Sequence, residues 1–269
     1  MQFVQDFNKA NLDIFRGLSY YRIWTYLATA DVFAKYRRSL LGPLWVSSSM
    51  LASAIALSIV FGGIFHQKLE DVLPYIMAGF LAWGFLGLLF GEGCESYVSV
   101  AGIIKSTPFP FTLHIYRMVL KNVIIFGHNL AVFGVVKLFL THSLLINIQI
   151  IPGIIIAILF VAFTCGLTGM FSARFRDLRF LLPSIGQIAF MVTPIFWRPA
   201  QLIQSSNDIR QLIYAYNPFY YLIRCVRDPL LGLSVPLDIW ITSGLTTVVV
   251  GVSWWAAFAV SRKRIAFWV

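Results

Sequence analysis

The sequence predicts an all-α polytopic membrane protein. Six transmembrane helices follow an amphipathic interface helix, and the last outer loop carries short re-entrant helices. Three observations lead there. The 269-residue chain is 59% hydrophobic and 12% charged, where ordinary globular chains carry about 25% charged residues. It contains long apolar stretches, of which Leu44–Phe65, inside a charge-free run from Ser39 to Phe65, is the clearest. About 20 such residues in a helix cross a hydrocarbon core of roughly 30 Å. Finally, Lys and Arg crowd the ends of these stretches unevenly, as membrane topology requires.

Residues 1–43 are mixed and basic. Within them Tyr20–Leu41 reads as an amphipathic helix lying in the headgroup plane, with Trp24, Leu27, Val32 and Tyr36 among Arg22, Asp31, Lys35, Arg37 and Arg38. The first 40 residues lack a short apolar core with a small-residue cleavage site, so no cleavable signal peptide is expected. The six predicted spans are Leu44–Phe65, Pro74–Gly91, Asn122–Leu140, Pro152–Phe171, Phe180–Trp197 and Ile239–Val260. Together they form a transmembrane domain over 44–260, with a tail at 261–269. Lys137, near one end of the third span, is expected to snorkel to the interface.

Fifteen basic residues fall on one side: Lys9, Arg16, Arg22, Lys35, Arg37, Arg38, Lys105, Arg117, Lys121, Arg174, Arg176, Arg179, Arg262, Lys263 and Arg264. Six fall on the other: Lys68, Lys137, Arg198, Arg210, Arg224 and Arg227. The excess predicts that both termini are cytoplasmic. An odd number of spans would put Arg262–Arg264 on the wrong side. The cytoplasmic loop at about 92–121 is too long for a simple turn. The outer segment at about 198–238 contains Leu212–Tyr221, which is apolar, aromatic and interrupted by Pro218. It is too short to span, so a re-entrant or interfacial hairpin is predicted.

The net charge of +10 lies at span ends, which fits topology better than nucleic-acid binding. Cys94, Cys165 and Cys225 are far apart and odd in number, so neither a disulfide framework nor a metal site is implied. No internal repeat points to an inverted-repeat carrier. No Gly-x-x-x-x-Gly-Lys-Ser/Thr loop is present to cradle nucleotide phosphates.

Four motifs carry a family resemblance. The run Asp31-Val-Phe-Ala-Lys35-Tyr36-Arg37-Arg38-Ser39-Leu-Leu41-Gly42-Pro43-Leu44-Trp45 joins an acidic residue, a basic-Tyr-basic cluster, Ser, Leu-Gly and a Trp entering the first span. Ala30 stands where an Arg is usual in that pattern. Lys105-Ser-Thr-Pro108-Phe109-Pro110 lies in the first cytoplasmic loop, and Ser106 or Thr107 there is expected to cap a helix. Arg176-Asp177-Leu178 opens the fifth span, which ends in Thr193-Pro194-Ile195. Asn217-Pro218-Phe219 precedes Arg227 and Leu230-Leu231-Gly232. In this order, over residues 30–232, the chain resembles the permease subunits of ABC exporters for polysaccharide, O-antigen and polyol phosphate.

That resemblance implies a channel-forming subunit for a lipid-linked, O-antigen-like polysaccharide in the bacterial inner membrane. It implies a homodimer with two ATPase subunits and membrane lipid around it, and no nucleic-acid partner. ATP and Mg would be held by the ATPase, and this chain would carry no cofactor, metal or catalytic residue. Lys105, Pro108, Phe109, Pro110, Arg176 and Asp177 would couple to the ATPase. Lys35, Tyr36, Arg37 and Arg38 would meet the substrate's phosphates at the entrance. Trp197, Tyr216, Phe219 and Tyr220 would line or gate the exit, where aromatic faces suit a sliding sugar chain; an interface belt is the alternative reading for each. Another ABC substrate (capsular polysaccharide, teichoic acid or a small molecule) is the nearest rival. A membrane lipid-modifying enzyme is a further one, which would need a clustered catalytic set that the sequence lacks.

Other polar residues have simpler expected roles. Glu92 and Glu95 share a helix face and are expected to pair with Arg117 or Lys121, or to contact the ATPase. His128-Asn129, mid-span, is expected to make an interhelical hydrogen bond. Arg224 and Asp228, four apart, are expected to pair on a surface helix.

Overall fold

The computed structural model describes residues 2–37, 42, 44–199 and 213–269. All regular structure among them is helical: α1 Gln2–Ser19, α2 Tyr21–Tyr36, α3 Leu44–Ile64, α4 Leu69–Leu86, α5 Glu92–Glu95, α6 Ala101–Ser106, α7 Phe111–Thr141, α8 Ile150–Arg174, α9 Leu178–Val192, α10 Pro218–Leu230 and α11 Leu237–Trp268, with 3₁₀ turns at Gly87–Phe90 and Val98–Val100. Among the described residues, five stretches are long and apolar enough to cross a membrane: Leu44–Ile64, Leu69–Glu95, Phe111–Thr141, Ile150–Arg174 and Leu237–Trp268.

The fifth predicted span, Phe180–Trp197, takes another form. Its helix, α9, has 15 residues, about 22 Å at 1.5 Å per residue, too short to cross alone. The chain then leaves the helix at Thr193, whose N–H makes the last helical bond, to the Ala189 carbonyl at 2.9 Å, and Thr193, Pro194 and Ile195 are buried. Segment 178–198 nevertheless runs antiparallel along α4 and α5 for their whole length. Arg179 pairs with Glu95 at 3.6 Å. Phe190 meets Trp83 at 5.8 Å between ring centroids. Tyr75 donates its hydroxyl to the Trp197 carbonyl at 3.3 Å, and Arg198 Nη2 donates to the Asp71 carbonyl at 3.3 Å. This approach depends on Gly79, where an added Cβ would stand 2.6 Å from the Ile195 carbonyl oxygen.

In lipid, apolar burial drives helix association weakly; close packing and polar contacts take over. The fold follows that rule. Helix α4 is the central post, with nearly every side chain from Val72 to Leu86 buried, while α3 exposes more than half of its side chains and α7 is mostly half-buried or buried. Helices α8 and α11 run parallel, touching at Phe163–Trp254 (5.6 Å) and at Arg174–Trp268 (5.6 Å) near their ends. Gly153 lets α8 reach the backbone of α10, since a Cβ there would collide with the Cys225 carbonyl.

Several expectations are corrected. The N-terminal region holds two helices, not one: α1 precedes α2, which spans Tyr21–Tyr36, while Arg38–Leu41 of the predicted helix lie outside the described residues. Helix α1 is docked on α7 and α11, so both described ends of the chain lie at the same end of the bundle. The 92–121 loop is mostly helix, because α7 begins at Phe111. Neither Ser106 nor Thr107 caps α7: Pro110 occupies the cap position, and Thr107 Oγ1 donates back to the Ile103 carbonyl at 2.7 Å. Helix α11 continues through the predicted tail to Trp268. Lys137 does not snorkel. It is 6% exposed, and its ammonium donates to the carbonyls of Leu145 (2.6 Å) and Leu230 (2.7 Å). A buried ammonium is retained there because it satisfies backbone oxygens that lipid could not. Replacing Lys137 with Met should lower the unfolding free energy by about 1–3 kcal/mol for the stranded carbonyls. A detergent melting curve unchanged from wild type would contradict this.

Candidate functional site

Two regions gather the residues singled out from the sequence. The first lies at the end of the bundle that holds both described chain ends. Lys105 and Pro108 are exposed there, whereas Phe109 is half-buried and Pro110 buried. Phe109 packs edge-on to Tyr20 at 5.9 Å. Arg176 and Asp177 are exposed in the turn between α8 and α9. An ion-pair framework supports both loops. Arg117 makes a two-pronged bond to Asp31 (2.6 and 2.7 Å), tying α2 to α7. Lys121 and Asn122 both reach Glu92 (2.7 and 2.8 Å). Glu92 thus pairs as expected, while Glu95 turns to Arg179 instead. Lys35 and Arg37 are exposed and Tyr36 half-buried at the end of α2; Arg38 lies outside the described residues.

Lys35 and Glu92 stand at one end of a cavity of about 650 Å³ between α2, α3, α4, α7 and α9. Its wall is mostly apolar and aromatic, with Trp83, Phe80, Phe126 and Phe190. Ser49, Ser53, Asn122 and Asn129 add a sparse polar strip. A second apolar cavity, of about 730 Å³, shares Trp83 and Phe190 and is otherwise formed by α9 and the Gly87–Gly91 turn. Asn129 accepts a bond from Ser47 at 2.6 Å and so links α7 to α3, as expected of the His128-Asn129 pair. His128 instead bonds within its own helix, to the Ile124 carbonyl.

The second region surrounds α10. Asn217 caps this helix: its Oδ1 accepts from Phe219 N at 3.0 Å, and Pro218 occupies the first turn. Its Nδ2 donates to Thr193 Oγ1 at 2.8 Å. The Asn217 end lies deep in the bundle, where Phe219 packs against Trp83 (5.4 Å), Phe90 (5.6 Å) and Phe160 (6.0 Å). The other end reaches the α7–α8 connection, where the Pro229 carbonyl accepts from Asn147 N at 2.9 Å. Between them lies a buried charged cluster. Arg227, 3% exposed, donates to the Pro194 carbonyl at 2.8 Å and covers the Tyr75 ring at 4.3 Å. Arg198 lies over the same ring at 4.7 Å. Asp228 takes Arg224 at 2.7 Å and Arg227 at 3.6 Å. The predicted Arg224–Asp228 pair therefore exists, but its carboxylate is inside the bundle rather than on a surface helix.

The four aromatics predicted for the exit are not one cluster. Phe219 belongs to the deep aromatic group. Tyr220 stacks edge-on with Tyr214 and Tyr221 (5.1 and 5.3 Å). Trp197 contributes its carbonyl to Tyr75, and Tyr216 is 82% exposed. Leu212 and the residues before it back to 200 lie outside the described residues. Sequence reasoning passed over Trp83, Tyr75 and all of α1. For α1 a signal existed: Ala10, Asp13 and Gly17 recur at helical spacing and form its buried face. Replacing Asn217 with Ala removes both a helix cap and the Thr193 bond. It should cost about 1–2 kcal/mol, read as a lowered melting midpoint in detergent, with a smaller loss for Asn217→Asp, which keeps the cap.

No family model matches the chain. Its sequence is similar to three curated proteins, each named O-antigen export system permease protein RfbA. One from Klebsiella pneumoniae is 27% identical over 237 residues, covering 84% of this chain and 88% of that protein. A second from the same organism is 27% identical over 209 residues, 75% and 77% of the two chains. One from Myxococcus xanthus is 22% identical over 200 residues, 73% and 75%. These likenesses support the family that the motifs resemble, the O-antigen ABC exporter permeases.

Proposed function

We propose that this chain is the membrane-spanning subunit of an ATP-driven exporter that moves a lipid-linked, O-antigen-like polysaccharide across a bacterial inner membrane. The observation that carries the reading is likeness to O-antigen export permeases along most of the chain, joined to four motifs in matching order. In this reading the chain crosses six times with both termini cytoplasmic. The antiparallel course of 178–198 along α4 and α5 and the docking of α1 on α11 support an even number of crossings. Helix α10 acts as a re-entrant element, its Asn217 end dipping toward mid-bundle and its Leu230 end returning to the outer side. Two copies form the channel, and two ATPase subunits bind the surface that displays Lys105, Pro108, Arg176 and Asp177. ATP and Mg belong to those subunits, and this chain catalyses no reaction.

The chemistry of the first cavity suits a lipid-borne substrate. Lys35, with Arg37 and Arg38 nearby in sequence, offers charge to phosphate oxygens. The long aromatic wall beyond offers apolar contact with few fixed hydrogen bonds, so a chain can slide. The decisive test is reconstitution. The chain, co-expressed with a cognate ATPase subunit, should form a stable complex in proteoliposomes, and lipid-linked O-antigen should raise its ATP turnover. Saturable ATP binding by the isolated chain, or a complex indifferent to every lipid-linked glycan, would sink the proposal. Crossing number is read separately, by cysteine labelling: reaction of positions 105 or 176 only from outside would refute the topology.

A further inference from the structure

Asp13 is a buried carboxylate that none of the motifs accounts for. Its side chain is fully enclosed, and its Oδ2 accepts from Arg262 Nε at 2.7 Å. Its Oδ1 accepts from the backbone N of Thr112 at 3.1 Å. Thr112 is the second residue of α7, and the first turn of any helix leaves N–H groups without partners. Pro110, at the cap position, has no side chain that can serve them. Asp13 therefore caps α7 from another helix and adds negative charge where the helix dipole favours it. The same carboxylate holds Arg262, six residues before Trp268 on the rigid α11. Trp268 in turn lies under the Arg174 guanidinium at 5.6 Å, where the 174–179 turn begins.

A buried ion pair is a weak device for stability alone, because apolar replacements often do as well. Its strength is in fixing direction and register. We propose that Asp13 is a positioning residue that yokes the two loops at this end, 105–110 and 174–179, so that they move as one body. This rests on the reading that both loops meet the ATPase. A push on either loop would then reach the other through Thr112, Asp13, Arg262 and α11 within a single subunit.

Helix α1 has further anchors on α11. Trp255 donates to Asn11 Oδ1 at 2.8 Å, Phe7 packs on Trp255 at 4.6 Å, and Lys263 pairs with Asp6. Asp13→Asn should therefore leave α1 docked and keep an acceptor for Thr112 while losing the charge that holds Arg262. In the complex with its ATPase, D13N and R262Q should each accumulate normally and hydrolyse ATP at the basal rate. Glycan exported per ATP should fall about fivefold or more. The double variant D13N/R262Q should be no worse than either single, since both break one link. Full export per ATP in D13N, or multiplied losses in the double variant, would overturn the yoke.

A second measurement keeps Asp13 and Arg262 in place, so it does not depend on the variants folding. Spin labels at positions 105 and 176 of one subunit should keep a constant separation when ATP is added, while each shifts against a label at the far end, at position 148. A change in the 105–176 distance refutes the yoke even where the exporter works. Absence of ATP-dependent movement at both labels overturns the yoke and the ATPase reading together.

Discussion

Replacing Arg227 with Ala should destabilise the folded protein by about 3–5 kcal/mol, the usual consequence of removing one partner from a buried charged group. Three contacts disappear together. The Pro194 carbonyl loses its donor, the Tyr75 ring loses the closer of its two guanidiniums, and Asp228 keeps only Arg224. Within a bilayer the stranded Pro194 carbonyl has no water to turn to, which raises the cost. Pro194 lies in the non-helical stretch that completes the passage of 178–198, so α10 and that stretch should loosen together. Arg227→Lys keeps the charge but cannot serve the carbonyl, the ring and the carboxylate at once; it should fall between Ala and wild type. Arg224→Ala should cost much less, because that side chain is 24% exposed. The measurement is the melting midpoint in detergent, with the amount of membrane-inserted protein as a second readout. Equal midpoints for wild type and R227A would remove the cluster from any structural role.

The largest functional effect should come from the 105–110 loop. Replacing Lys105–Pro110 with a Gly/Ser linker should abolish export while ATP hydrolysis by the partner continues, since the linker cannot transmit a push. The structure sharpens this test. Phe109 rests on Tyr20 and Pro110 is buried, so the full replacement also removes packing. The double variant K105E/P108G alters only exposed positions. It should leave insertion and melting unchanged and lower export per ATP about tenfold, an energetic coupling of the usual size. Normal export by K105E/P108G, together with loss of export in the full replacement, would assign the loop to packing rather than to coupling.

Much was legible from the chain alone because a membrane imposes a one-dimensional rule. Apolar length and basic ends can be read residue by residue, and they located the five long spans within a few residues except at the start of the third and the end of the last, which runs eight residues past Val260. In the third, α7 starts eleven residues early, because a helix continues past the hydrocarbon boundary wherever its neighbours keep it paired. The motifs were legible for a related reason. Asn217-Pro218 is a local cap signal, and the structure uses it as one. Arg224–Asp228 is a local charge match, four residues apart.

The sequence by itself therefore determined the helical class, the membrane-spanning stretches and the family likeness, since each depends on composition, periodicity or short-range pattern. Tertiary structure alone decided that the fifth apolar stretch is a short helix completed by buried, non-helical backbone, because that form needs Gly79 and Arg227 from other elements to satisfy it. It decided that Lys137 turns inward, because the carbonyls it serves come from two distant segments. It also decided that Asp13 bridges the first helix to the last, about 250 residues apart in the chain and beyond the reach of any spacing rule.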